Sequence, residues 1–254
     1  MKRKRKDDEI IESVNHVTAA EFKQAHWNAH LATHDDTYEH HGKSTFETIG
    51  TAAVELYVSP VSKVAQDDSE KLMESELDAC VSLVEETSAD DYAASVIGWH
   101  PKHKRKEMRD KDMRYLIVRQ HDAGLQLETA GITKRELSGF LSFMLTHEDG
   151  IPVIYIYEIH LKPHMRGTGM GRHLMALVET IGSSVGVEKS MLTVFRSNDK
   201  AIRWYDRLGY GVDEYSPPDK TLRGGKVKQS DYLILSKRLK NGNTRDGEKN
   251  GKSE

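Results

Sequence analysis

The segment Arg166-Gly167-Thr168-Gly169-Met170-Gly171 has the pattern R-x-x-G-x-G and opens an amphipathic stretch. Glycines without a Cβ let several backbone N–H groups converge, and a helix N-terminus behind them adds partial positive charge. The chemistry this suits is the holding of an anion, a pyrophosphate in particular. A Walker A loop would need Gly-Lys-Ser/Thr where Gly171-Arg172-His173 stands, and a dinucleotide fingerprint would need a glycine at Arg172. Both are excluded. Just ahead of the turn lies VIYIYEIHL, with Glu158 inside an otherwise apolar run. A carboxylate there is costly to bury and needs a partner or a task. It is either a salt-bridged or strand-edge glutamate, or a general base whose pKa partial burial raises toward neutrality. Asn198 follows MLTVF at a place suited to a helix N-cap. Tyr205, in WYDRLGY, either packs in the core or presents its hydroxyl to a ligand.

The histidines raise a metal question. His26, His30 and His34 are spaced i, i+4, i+8, with His40-His41 beyond. A zincin pattern would need glutamate after the first histidine, where Trp27 stands, and there is no nearby cysteine or carboxylate frame. No metal is expected, and these read as surface histidines.

The elements that must position these residues follow from periodicity. Val153 to Leu161 is apolar on both faces, as in a central strand covered on both sides. Met170, Leu174, Leu177, Val178, Ile181 and Val185 form one helical stripe. Met191 to Phe195 reads as a strand, Asp199 to Leu208 as a helix ended by Gly209, and Tyr232 to Ser236 as a final strand. Upstream, Ile49 to Val58, Arg114 to Arg119 and Glu136 to Leu145 read as strands, with a long hairpin loop over Ala123 to Lys134. Ser69 to Glu86 is helical, Thr18 to His34 is a thinner helical pattern, and a polar connection carries Tyr92 toward the basic run PKHKRKEMRDK. The sum is an α/β chain with a mixed, mostly antiparallel central sheet flanked by helices.

Composition narrows the function classes. With 254 residues the chain can bury one substantial core, and its net charge of −3 gives no ground for wholesale nucleic-acid binding. Met1 to Lys6 reads MKRKRK with no apolar core after it, so residues 1–12 are expected to be a basic flexible tail, a solvated one or a nuclear-import or ribosome contact. Residues 13–240 form one domain, with the cofactor-binding core at about 110–215, and residues 241–254 are an expected disordered tail. The single cysteine, Cys80, allows no intrachain disulfide and points to a reducing compartment. No apolar run of roughly eighteen residues is present to span a membrane.

The strand, glycine turn and helix together resemble the GNAT acetyltransferase superfamily, in which this turn holds coenzyme A. In finer detail the chain resembles the N-alpha-acetyltransferase D family, selective for histone N-termini. The segments carrying that resemblance are GWHPKHKRKEM with RYLIV, VIYIYEIHL, RGTGMGRHLM, MLTVFRSN, DEYSP and SDYLILS, spread over roughly Tyr92 to Lys237. The resemblance implies a GNAT fold, acetyl-CoA as donor, and transfer to the N-terminal amine of histones of the H-four and H-two-A type, which begin Ser-Gly-Arg-Gly. It implies Glu158 as general base in a direct attack and Tyr205 as the group protonating the thiolate. The backbone of Ile159, His160 and Leu161, the turn of Arg166, Gly167, Thr168, Gly169, Met170 and Gly171, and Asn198 on the pantetheine arm match the donor site. Tyr92, Glu148, Tyr157, Thr193 and Tyr232 match peptide-contacting positions.

Two residues depart from the family pattern: Thr146 stands where some members have aspartate, and Ile97 where members have tryptophan before Gly-Trp. An arginine-bearing tail needs acidic groups, and Glu148, Asp149, Asp213 and Glu214 flank the site in sequence, Asp149 reading better as an ordinary loop charge. Expected partners are the histone tails, with ribosomes or nascent chains as a further possibility, and the expected location is nucleus and cytoplasm. Two other readings stay open. One is transfer to lysine side chains or small amines, although a lysine amine with pKa near ~10.4 demands stronger deprotonation. The other is a non-catalytic acyl-CoA-binding or ribosome-docking module.

Overall fold

The computed structural model describes residues 6–27, 46–49, 52–120, 136–221, 223, 225 and 227–239. In chain order the strands are β1 (Phe46–Ile49), β2 (Ala52–Val58), β3 (Arg114–Gln120), β4 (Leu137–Glu148), β5 (Ile151–Leu161), β6 (Lys189–Phe195), β7 (Gly211–Val212), β8 (Lys220–Thr221), β9 (Val227–Lys228) and β10 (Tyr232–Arg238). The helices are α1 (Lys6–His16), α2 (Ala19–Phe22), α3 (Glu74–Ala94), α4 (Pro101–Met108), α5 (Met170–Val185) and α6 (Asp199–Arg207). Eight strands form one sheet in the order β1-β2-β3-β4-β5-β6-β10-β7. Every neighbouring pair in it is antiparallel except β5 with β6.

Alternation along the central strands divides the core in two. Leu116 and Val118 of β3 face the side covered by α1 and α5, while Tyr115 and Ile117 face the side covered by α3 and α4. This is the period-two rule applied to a sheet buried on both faces. Between β4 and β5, Asp149 (φ 49) and Gly150 (φ 80) make a two-residue turn with both central residues left-handed, the geometry favoured by Asp-Gly in hairpins. Asp149 is therefore a turn residue.

Two irregularities in β5 create the site. Ser142 pairs with Glu158 but Phe143 pairs with Ile156, so Tyr157 is an extra, bulged residue. One inserted residue reverses the facing of everything beyond it. Ile154 and Ile156 pack under α5, yet after the bulge it is Ile159 and Leu161 that pack there, and Glu158 and His160 turn to the α3/α4 side. The second irregularity is that β5 and β6 pair only from Val153↔Lys189 to Ile156↔Leu192. The facing edges of residues 157–161 and 193–195 are left unpaired with each other, a slot in the middle of the sheet.

Several elements differ from expectation. The expected flexible tail is in part α1: Ile11 and Val14 are buried, Asn15 donates to the Leu145 carbonyl, and Arg114 reaches Asn15 and the Val14 carbonyl. Residues 1–5, the hairpin residues 123–134, His30, His34, His40 and His41, and the C-terminal 241–254 lie outside the described residues. Within the pattern 18–34, Thr18 and Glu21 form a capping box and α2 passes into a π-helical turn at Lys23–Trp27; residues 28–34 lie outside the described residues. Tyr92 is in the last turn of α3 instead of a connection, and the basic run PKHKRKEM is α4 with Pro101 in its first turn.

Candidate active site

A cavity of about 880 Å³ opens where β5 and β6 part, walled on one side by α3 and α4 and at one end by α6. Glu158 lines it and is 7% exposed. One carboxylate oxygen, Oε1, takes Lys104 Nζ at 2.8 Å and the Tyr92 hydroxyl at 3.0 Å. The other, Oε2, takes His160 Nε2 at 2.6 Å. Lys104 also reaches Glu107 at 2.6 Å and lies over the Tyr92 ring. Burial by itself would raise the Glu158 pKa, but the hydrogen bond and charge of His160, with Lys104, outweigh it and bring it down to about 2. This corrects the expectation of a raised value. The acid is held ionised by two donors the sequence left unassigned to it. The Lys104 pKa moves up in spite of its burial, through Glu158, Tyr92 and Glu107.

Of the expected site residues, Tyr92, Glu148, Tyr157, Thr193, Ile159, His160, Leu161, Arg166, Asn198 and Tyr205 line this cavity with Glu158. Tyr92 packs edge-on against Trp99 and Phe195. The Thr193 hydroxyl meets that of Tyr155 at 2.6 Å. Burial pushes the Tyr157 phenol up to about 12, so it is a neutral hydrogen-bonding wall at ordinary pH. Asn198 caps α6, accepting from the Ala201 N–H at 3.0 Å, and its amide points toward Asp91 at 3.4 Å. Tyr205 is buried, and burial with the Glu158 charge raises its pKa strongly. Tyr232 is not on the cavity wall; its backbone pairs with Phe195, which is.

The glycine turn continues from Arg166 at the cavity's edge into the N-terminus of α5. Gly167 (φ +76) and Gly169 (φ +95) both adopt left-handed backbone, and a Cβ on either would meet nothing within 4 Å. The turn thus presents bare backbone to open space at a helix N-terminus, which fits a phosphate. Gly171 has a different duty: a Cβ there would come within 3.2 Å of the Trp204 ring, so its absence lets α5 and α6 meet.

Some acidic expectations change. Asp213 is buried and paired with Lys189 at 2.6 Å, so it faces the fold and not the groove. Glu148 remains on the cavity, and burial together with Asp149 raises its pKa. Asp91 and Glu107 on the same wall were missed. Lys104 was missed because a run of charges reads as a solvated face. The signal available was its spacing, since Lys104 stands one helical turn before the buried Met108.

Residues 81–210 match the acetyltransferase (GNAT) family, and the chain belongs to that family. Over 185 residues it is 31% identical to N-alpha-acetyltransferase 40 of Saccharomyces cerevisiae, a stretch that covers 59% of this chain and 59% of that one. The chain thus spans 59% of the length of that curated relative. Among solved structures it is similar to nourseothricin acetyltransferase, at 24% identity over 52% of this chain and 68% of that one, with a TM-score of 0.36. It is also similar to Arabidopsis thaliana NAA60 in complex with a bisubstrate analogue, at 14% identity over 73% and 98% of the two chains, with a TM-score of 0.44.

Proposed function

We propose that the protein transfers an acetyl group from acetyl-CoA to the N-terminal amine of histones of the H-four and H-two-A type. The observation that carries this reading is Glu158, buried in the slot between β5 and β6 and held by Lys104, His160 and Tyr92, with a turn of bare glycine backbone opening α5 beyond Arg166. The yeast relative named above bears the name of an α-amine acetyltransferase, which supports the choice of amine. When bound, the thioester supplies the acyl carbon and a thiolate leaving group.

The residues divide the remaining work. The Gly167–Gly169 backbone and the α5 N-terminus would hold the pyrophosphate. Tyr92, Tyr157 and Thr193 would confine a small first residue such as serine, while Asp91, Glu107 and Glu148 favour a basic tail. Glu158 takes the proton that the attacking nitrogen loses as its bond to the acyl carbon forms and the C–S bond breaks. The α-amine, with a pKa near ~8, is the amine from which a carboxylate removes a proton with the least opposition. Tyr205 keeps its proton too firmly to surrender it outright, so its part is to donate a hydrogen bond to the departing sulfur.

The deciding experiment compares a Ser-Gly-Arg-Gly tail peptide with the same peptide blocked at its α-amine, locating products by tandem mass spectrometry. Acetylation of the free α-amine alone is expected. Lysine acetylation on the blocked peptide would replace the N-terminal reading with a lysine one. The donor site has its own test. Gly169→Val puts a branched side chain into the open space of the turn and into left-handed backbone, and is expected to raise the KM for acetyl-CoA about tenfold or more. Equal coenzyme A affinity by isothermal titration would move the phosphate cradle elsewhere.

A further inference from the structure

A chain of short hydrogen bonds runs from Glu158 to α3. His160 Nε2 lies 2.6 Å from Glu158 Oε2, and its Nδ1 lies 2.6 Å from Thr87 Oγ1 on α3. The Thr87 oxygen is also 2.7 Å from the Leu83 carbonyl. All three side chains line the same cavity. The groups facing the imidazole are Glu158 from its own strand, Thr87 from α3, the Phe140 ring from β4 at 5.6 Å, and Lys104 of α4, which is backed by Glu107 and acts through the other carboxylate oxygen.

Counting protons gives this chain two states. Thr87 has one hydroxyl proton and, besides the weaker Val84 carbonyl at 3.5 Å, two close acceptors, the Leu83 carbonyl and Nδ1. If it donates to Leu83, Nδ1 must carry a proton and donate to Thr87, and Nε2 must also donate, because a bare lone pair would face the carboxylate. The ring is then an imidazolium. If Thr87 donates to Nδ1, the ring is neutral and Nε2–H still donates to Glu158. Passing from one state to the other needs one proton at Nδ1 and one turn of the hydroxyl, and leaves no buried polar atom without a partner at His160.

We propose that His160 is a positioning residue that sets whether Glu158 takes a proton, with the Thr87 hydroxyl turning between Leu83 and Nδ1 as the ring is charged or neutral. The proposal rests on Glu158 being the acceptor for the attacking amine. With the ring charged, two cations bracket the carboxylate and it keeps little affinity for a proton. When Nδ1 passes its proton to Thr87 Oγ1 and the hydroxyl gives its own to water in the cavity that Thr87 lines, one of those cations is gone while the Nε2–H bond keeps Glu158 in place. Glu158 then accepts the proton released by the amine nitrogen.

His160→Gln replaces the switch with a neutral donor that cannot titrate. Its kcat relative to the wild type, at saturating substrates, is expected to climb about tenfold per pH unit down the acid limb of the wild-type profile. A His160→Gln profile parallel to that of the wild type would overturn the proposal. Thr87→Val should move the acid limb of the profile and Thr87→Ser should restore it; identical profiles for all three would also overturn the proposal. Nitrogen-15 shifts of the His160 ring in the full chain test the same two states without any turnover, and so stay decisive if the peptide reading fails. On acidification the arriving proton is expected at Nδ1 with Nε2 protonated throughout. Arrival at Nε2 would sink the idea.

Discussion

Glu158→Gln is expected to lower kcat on a Ser-Gly-Arg-Gly peptide by about 10² to 10⁴, the span that loss of a general base produces. Coenzyme A affinity should not follow, because the carboxylate contacts Lys104, Tyr92 and His160 and the phosphate turn lies beyond Arg166. Glutamine keeps the shape of the group and can still accept from Tyr92, but it cannot take a proton. It also leaves Lys104 in a buried site with Glu107 as its remaining carboxylate. The variant should therefore be less stable as well as slower, and the two effects must be measured apart. Steady-state kinetics well below the variant's melting temperature, together with isothermal titration of coenzyme A, separates them. Wild-type turnover in a folded variant would show that proton removal belongs to another group.

How much of this was visible before the fold was known depends on what residue types can encode. The apolar runs in RYLIVR and ELSGFLSFML placed β3 and β4, because a strand buried on both faces must carry apolar residues at both parities. The glycine turn was legible for a similar reason: at Gly167 and Gly169 the backbone itself requires the residue type. Glu158 stood out as a charge in an apolar run. What could not be read was the bulge at Tyr157, which no residue type announces and which alone turns Glu158 and His160 toward α3 and α4. Lys104 was hidden in a run of lysines and arginines whose other members do face water or the acids of α3. Arg105, for instance, pairs with Glu74 and Asp78 at the surface. Asp213 misled in the opposite direction, since acidic residues in a turn look solvated whether or not a lysine such as Lys189 lies beneath them.

Lys104→Met carries the largest expected effect on stability. Methionine matches the length of the stem and suits a pocket beside Tyr92 and Met108, so the variant removes the charge with little loss of packing. Taking one partner from a buried ion pair leaves the other uncompensated, a loss of about 3 to 5 kcal/mol. The pH dependence follows from Glu158. Its folded pKa of about 2 lies below the ordinary 4.5, so its ionised form stabilises the fold above pH 4.5, and that contribution fades as pH falls toward 2. A shift of that size is worth on the order of 3 kcal/mol. Without Lys104, burial is opposed only by His160 and the Tyr92 hydroxyl, and the Glu158 pKa moves up. The fold should then begin to weaken at higher pH, and the stability lost between neutral and acid solution should shrink, because much of it is already gone at neutrality. Urea unfolding of wild type and variant at a series of pH values reads both quantities. Equal unfolding free energies at neutral pH, or superimposable acid limbs, would mean that Lys104 does not hold the Glu158 charge.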